Sequence, residues 1–351
     1  MIKYLGSKRV LVPVLGEIAA ATGARTALDL FTGTTRVAQE FKRRGLEVTA
    51  TDSASYSEIL AQTYIATDAA AIDQDALMDA LLRLSSLPGS RGYVTRTFCE
   101  EARYFQPKNG MRIDAIRDAI EEEYAQTPYY PILLTSLMLA ADRVDSTAGI
   151  QMAYLKDWAA RSYHDLELRM PELLPGAGYA ARGDALSLVR ELGHFDLAYL
   201  DPPYNQHRYF TNYHIWETLV RWDAPEHYGK ACKRVDARDD EATRSPFNSR
   251  KTLAGALREL ILAVDADTQV VSYNNESWVT ADEICAWLRE AGYGAVATFD
   301  FDHKRYVGAQ IGIHNLQGDK VGTVGHLRNI EHIIVAGATD TLAAVSERIA
   351  R

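Results

Sequence analysis

The chain has 351 residues, 47% hydrophobic and 24% charged, enough for one large domain or one domain carrying a sizeable insertion. Its net charge of −9 excludes a protein that coats nucleic acid non-specifically, but not a specific nucleic-acid enzyme with a basic cleft. No run approaches about 18 uninterrupted apolar residues and the start, MIKYLGSKRVLVP, lacks the apolar core of a secretory signal, so a cytoplasmic protein without a membrane span is expected.

Residues 26–52 read as a βαβ unit. TALDLF is an apolar run of strand type and TGTT is a turn. RVAQEFKRRG has helical period, with Val37, Ala38 and Phe41 on one face and Gly45 as the stop. LEVTATD is a second strand ending on Asp52. Residues 60–176 have little strand character. QDALMDALLRL, GMRIDAIRDAIEEEY, YYPILLTSLMLAADRV and AYLKDWAARSYHDLELRM all fit helices, the third with Thr127-Pro128 as its start. This stretch is expected to be a helical insertion between 1–59 and 177–351, which would form the catalytic domain. Strand-like runs return at 195–200, 268–274, 293–301 and 330–337, with helical patterns at 252–264 and 280–292. The alternation predicts an α/β fold, Rossmann-like and doubly wound, with a mostly parallel sheet. Residues 226–251 have dense mixed charge and no apolar period, which predicts a mobile loop.

Three cysteines, Cys99, Cys232 and Cys285, are far apart and show no metal-ligand spacing, so isolated thiols and no metal are expected. Trp216, Trp222, Trp278 and Trp287 sit on apolar faces or at helical spacing and read as core.

In open α/β sheets, ligands bind outside the carboxyl ends of the strands. Asp52 lies 19 residues beyond Gly33, the place of an acid that binds ribose hydroxyls. The turn FTGTT holds one glycine, too few for the dinucleotide fingerprint. A nucleoside cofactor without phosphates, such as S-adenosylmethionine, needs no more. The run HFDLAYL leads into Asp201-Pro202-Pro203-Tyr204. A rigid strand exit explains the prolines but not the flanking acid and aromatic. An exocyclic base amine explains all four. Its lone pair is delocalised into the ring, and two acceptors beside its hydrogens, the Asp201 carboxylate and the Pro202 carbonyl, favour the tetrahedral form that can attack a methyl group. Tyr204 can stack on the base, worth about 1–3 kcal/mol. This is positioning chemistry with no covalent enzyme intermediate, and in a duplex the base must first be flipped out.

With those residues in place, the chain resembles the adenine-N6 DNA methyltransferases of restriction–modification systems, the Dam-like and FokI-type modification methylases. KYLGSKRVLVP (3–13) is similar to their motif X, DLFTGTT (29–35) to motif I, DPPY (201–204) to motif IV and TNYHIWETLVRWD (211–223) to motif V; the resemblance runs through nearly the whole chain. It implies a class I S-adenosylmethionine-dependent fold. It also implies that Tyr4, Gly6, Ser7 and Lys8 hold the methionine end of the cofactor, and that Asp29, Phe31, Gly33 and Thr34 line its pocket. Asp52 takes the ribose, Asp184 sits near the adenine amine, Asp201 to Tyr204 hold the target base with Asp201 also at the cofactor, and Tyr213 borders the cofactor. Where the family often has F-x-G-x-G, this chain has Thr35 for the second glycine.

The motif order places target recognition in 60–176, and a duplex with a short specific site as the substrate. Candidate contacts to DNA are Lys156, Arg161, His207, Arg208, Lys304 and Arg305, with Arg143, Arg169, Lys233, Arg234, Arg244, Arg250 and Lys251 behind them. A cognate restriction endonuclease is the implied partner. Four rival readings remain open on the residues: a cytosine-N4 DNA methyltransferase, a ribosomal-RNA base methyltransferase with the same D-P-P-Y chemistry, a nicotinamide-dependent oxidoreductase and a cofactor-binding DNA module without catalysis.

Overall fold

The computed structural model describes residues 2–4, 8–204, 206, 208–304 and 328–350. Nine strands are described: β1 (Thr26–Asp29), β2 (Glu47–Asp52), β3 (Gly178–Arg182), β4 (Phe195–Leu200), β5 (His227–Tyr228), β6 (Lys233–Arg234), β7 (Ala266–Asn274), β8 (Ala295–Lys304) and β9 (Arg328–Gly337). Seven of them form one sheet in the order β3-β2-β1-β4-β7-β9-β8. β2 runs parallel to β3, and β4 runs parallel to β1 and β7. β9 is antiparallel to β7 and β8. The order outward from β1 reverses at β1/β4, the switch point of a doubly wound α/β fold, with one antiparallel strand inserted near an edge. The expected α/β architecture is therefore the observed one.

The chain divides into two compact units. One comprises 5–31, 184–207 and 245–351. Its core joins Leu28, Ala198, Leu200, Val271 and Ile334 of the strands, and Leu30 just beyond β1, to Leu257, Leu260 and Ile284 of helices Leu253–Ala263 and Ala281–Glu290. The last four residues of β4 are all buried, as a parallel strand covered on two faces requires. Helix Ala281–Glu290 starts on a capping box in which Thr280 and Glu283 satisfy each other's backbone N–H groups. Trp278 and Trp287 are partly buried against this core.

The other unit comprises 1–4, 32–183 and 208–244. It contains β2, β3, the β5–β6 hairpin and helices Arg36–Arg43, Ser55–Ala61, Gln74–Ser85, Pro107–Tyr124, Tyr130–Arg143 and His214–Arg221. Residues 60–176 hold no strand among the described residues, only an isolated bridge between Thr147 and Tyr154. The unit that contains them also takes in β2, β3 and 208–244, so the compact bodies are cut differently from the expected domain boundaries. Buried Arg117 of Pro107–Tyr124 donates to the Leu219 and Val220 carbonyls, satisfying the last turn of His214–Arg221. Trp216 is fully buried, whereas Trp222 is half-buried and donates to Asp118.

Three local expectations are corrected. The stretch 153–170 is not a helix; only Ala160–Tyr163 forms a short 3₁₀ turn. Side chains satisfy its backbone instead: Asn109 donates to the Ser162 and His164 carbonyls and accepts from Leu166 N–H, and Ser136 exchanges hydrogen bonds with Arg169. The helix expected to open on Thr127-Pro128 begins at Tyr130, with Pro131 in its first turn. Thr127 donates back to Tyr124, closing the preceding helix. The stretch 226–251 is ordered by ion pairing rather than by an apolar period. Arg234 is buried, holds Asp223 through two bonds of 2.7 and 2.6 Å, and also binds Asp236.

Candidate active site

In the second unit described, β2 ends on Asp52, and both of its carboxylate oxygens are engaged by backbone. Oδ2 accepts from Gly33 N–H at 2.9 Å and Oδ1 from Ala54 N–H at 3.0 Å. Burial raises the Asp52 carboxyl above its ordinary pKa, against the opposing pull of these backbone donors. Gly33 has φ +50°, and a Cβ there would stand 3.1 Å from Tyr4 Cε1. Glycine is favoured on two grounds, the left-handed backbone and the approach of the ring. Tyr4 stacks on Tyr213 at 4.7 Å and on Tyr209 at 5.3 Å, and meets Tyr56 edge-on at 6.5 Å. The fold thus gathers Tyr4, Gly33, Asp52 and Tyr213 from three distant parts of the sequence and adds Tyr56 and Tyr209, which sequence reasoning missed. Tyr56 and Tyr213 are fully buried in this aromatic cluster beside Asp52.

Thr34 is buried in the same turn. Thr35, in the place of a family glycine, has φ +61°, a strained state for a β-branched residue. Its hydroxyl donates to Thr34 O at 2.7 Å and accepts from Gln39 at 2.8 Å, which offsets the strain. Beneath Asp52, helix Ser55–Ala61 has Ala54 at its N-cap position and no cap from its own side chain. Glu217, fully buried on His214–Arg221, supplies the acceptor by taking Ser55 N–H at 2.8 Å. Burial pushes its carboxyl up to about 7.

In the first unit described, the D-P-P-Y segment leaves the carboxyl end of β4, where a doubly wound sheet binds its ligands. Pro202 is buried; Asp201, Pro203 and Tyr204 are half-buried. Asp201 accepts from Lys8 at 3.0 Å, and the same ammonium is bound by Glu331 of β9. Burial pulls the Lys8 pKa down, but the two carboxylates outweigh it and hold the ammonium well above its ordinary value. Burial pushes Asp201 up to about 6, with Lys8 opposing and Glu331 adding to the rise. Tyr204 packs edge-on to Tyr273 at 6.0 Å, and burial pushes its phenol up to about 12. Asp29 is buried at the end of β1, and Phe31 packs edge-on against Phe247 at 5.3 Å.

Lys8 is bound by Asp201 and Glu331. Asp184 is exposed and caps the short helix Ala185–Leu188 by accepting from Ser187 N–H. Gly6, Ser7, His207 and Arg305 lie outside the described residues, as does the side chain of Lys304. Of the expected DNA contacts, Lys156 is exposed and Arg208 donates to Thr243. Arg161 is half-buried and bound to buried Asp145 and the Thr147 carbonyl, whereas Arg234 is a fully buried ion-pair centre. Arg143 and Arg169 are turned to Glu167, Lys233 lies over the Tyr228 ring and Arg244 faces Glu241, while Arg250 and Lys251 are exposed.

The three cysteines are free thiols. Cys232 nevertheless lies with His227 and Glu101, their donor atoms within 4.8 Å of one another, a grouping no spacing announced. His227 and Glu101 already pair at 2.9 Å, and burial pushes the Cys232 thiol up to about 11.

Sheet order, an acid closing β2 and D-P-P-Y closing β4 make an α/β fold with acids at the carboxyl ends of its strands. The chain belongs to the D12 class N6 adenine-specific DNA methyltransferases, whose family model matches residues 4–260. It is 31% identical over 296 residues to the type II methyltransferase M.NlaIII of Neisseria lactamica, covering 80% of this chain and 86% of that protein. It is 28% identical over 310 residues to M.FokI of Planomicrobium okeanokoites, covering 83% of this chain but 47% of that protein, so it spans about half of the longer relative. M.CviAII of Paramecium bursaria Chlorella virus 1 is 28% identical, with 87% of this chain and 92% of that protein covered. A precorrin-6y C5,15-methyltransferase from Geobacter metallireducens GS-15 aligns over 96% of this chain at 10% identity and a TM-score of 0.31, which adds nothing to the strand order. The protein is thus an adenine-N6 DNA methyltransferase, and the cytosine, RNA and oxidoreductase readings are not favoured. No helix among the described residues is long and apolar enough to cross a membrane.

Proposed function

We propose that the protein methylates N6 of a flipped-out adenine in a short duplex site, with S-adenosylmethionine as donor, as the cytoplasmic modification partner of a restriction endonuclease. Bound, the cofactor supplies a sulfonium methyl group. Asp52 would accept from its ribose hydroxyls and the Tyr4–Tyr213 surface would take its adenine, in keeping with the acid and glycine turn of that unit. Asp201 and the Pro202 carbonyl would accept the two amine hydrogens of the target base, drawing the nitrogen toward a tetrahedral form. Tyr204 would stack on the base, held by its contact with Tyr273. Lys156 and Arg208 remain the described candidates for phosphate contact, and 60–176 for target recognition.

The observation that carries the reading is the D-P-P-Y segment at the carboxyl end of β4, its acid half-buried and beside Lys8. Transfer of labelled methyl from S-adenosylmethionine to duplex DNA and to RNA, side by side, tests it. Wild-type enzyme is expected to label DNA only, and Asp201→Ala to lose transfer while binding cofactor nearly as before. Near-normal turnover by Asp201→Ala would overturn the amine-activation account.

A further inference from the structure

We propose that Glu331 is a positioning residue for methyl transfer: by dividing the Lys8 ammonium with Asp201, it keeps the Asp201 carboxylate available to accept the proton shed by the target amine. The inference rests on the proposed role of Asp201. Glu331 sits on β9 between two strands, facing Asn274 of β7 and Phe301 of β8 in register, so its backbone is fixed on each side. It is 5% exposed in a strand that otherwise buries Ile333, Ile334, Val335 and Ala336. Its Oε1 binds Lys8 Nζ and lies 3.5 Å from Ser272 Oγ. Lys8 is anchored in turn, because its carbonyl accepts from Leu11 and Val12 at the start of helix Val12–Thr22.

Charge counting separates this role from a structural one. One carboxylate is enough to neutralise Lys8, and Asp201 already supplies it at 3.0 Å. A second buried carboxylate is surplus to that need and carries a desolvation cost. Its effect is to leave the cluster at a formal charge of −1. In the reaction N6 gains a methyl group from a sulfonium donor, and the sulfur keeps the electron pair of the bond it loses. The nitrogen, then positively charged, sheds one proton to become neutral. An Asp201 carboxylate paired one-to-one with Lys8 would be a weaker acceptor for that proton than one sharing the ammonium with Glu331. The titratable groups around Asp201 among the described residues are Lys8, Glu331, Tyr199 and Tyr204, and the two phenols have pKa values raised by burial.

The test is the pH dependence of single-turnover methyl transfer in Glu331→Gln and Glu331→Asp. In wild type the rate should fall on acidification through about pH 6, where Asp201 takes up a proton. Glu331→Gln leaves Lys8 wholly to Asp201, so the acid limb should move down by about one pH unit. The plateau should fall about tenfold, with affinities for cofactor and DNA held within about twofold. Glu331→Asp should stay near the wild-type limb, and it keeps the question answerable should Glu331→Gln fold poorly. An unmoved acid limb, or a loss confined to cofactor or DNA affinity, would overturn the proposal. Normal turnover by Asp201→Asn would instead overturn the reading beneath it.

Discussion

Gly33→Ala offers the sharpest test of the nucleoside surface. A methyl group at this position must enter at φ +50° and stand 3.1 Å from Tyr4 Cε1 and 3.3 Å from the Tyr4 hydroxyl. The left-handed backbone alone costs about 1 kcal/mol for alanine. The ring must also yield by a few tenths of an ångström, yet it is stacked against Tyr213 at 4.7 Å and Tyr209 at 5.3 Å. The turn has a second constraint, since Gly33 N–H is bound to Asp52 at 2.9 Å. A cost of about 1–2 kcal/mol borne by the folded turn predicts a Tm lower by about 1–3 °C, and up to about tenfold weaker S-adenosylmethionine binding where the bound state needs the ring in its original place. Calorimetric titration and thermal melting read the two effects. The variant should be repeated in a Tyr4→Ala background, where removal of the ring should recover part of the Gly33→Ala cost. A folded Gly33→Ala enzyme with wild-type affinity and Tm would refute the account of this turn.

Three further outcomes are expected. Glu217 has a folded-state pKa near 7, above its unfolded value, so as pH rises from about 4.5 to 7 the unfolded chain releases its proton first and stability falls; Glu217→Gln should therefore melt above wild type at pH 8 by about 1–3 kcal/mol of stability and match it near pH 4.5, and a less stable variant at pH 8 would mean the carboxylate is favourably paired. Arg234→Ala leaves Asp223 and Asp236 with Arg221 as their remaining shared partner and should cost about 1–2 kcal/mol, seen as a lower midpoint in urea; a change below about 0.5 kcal/mol would place the ion pair among surface bridges of little weight. Thr35→Gly should melt above Thr35→Ala, because alanine loses the two hydroxyl hydrogen bonds yet keeps the strain at φ +61°; the reverse order would show that the turn relaxes without the hydroxyl.

What could be read from sequence was whatever is carried by neighbours along the chain. The helix Arg36–Arg43 and the stop at Gly45, with φ +87°, follow from apolar period and a glycine. The strands β4, β7, β8 and β9 follow from apolar runs, and D-P-P-Y and Asp52 follow from their places at strand ends. What escaped was order that arises between distant residues. The stretch 153–170 has helical composition, but Asn109 and Ser136 offer its backbone other partners. The 226–251 stretch looks like loop because its organising contact is Arg234 with two aspartates. Glu217 and Glu331 left a faint trace, each a lone acid in an otherwise apolar run, IWETLV and NIEHIIV. An acid kept in such a run needs a partner, and only the fold names it as Ser55 or Lys8.

The central claim is that Asp201 and its neighbours direct a methyl group to adenine N6. It is tested most directly by expressing the protein in a host that lacks DNA methylation and sequencing the host genome by single-molecule kinetics. The account predicts N6-methyladenine at every copy of one short sequence, and none when Asp201→Ala is expressed to the same level. Modified cytosine at such a site, or the same adenine pattern from Asp201→Ala, would contradict it.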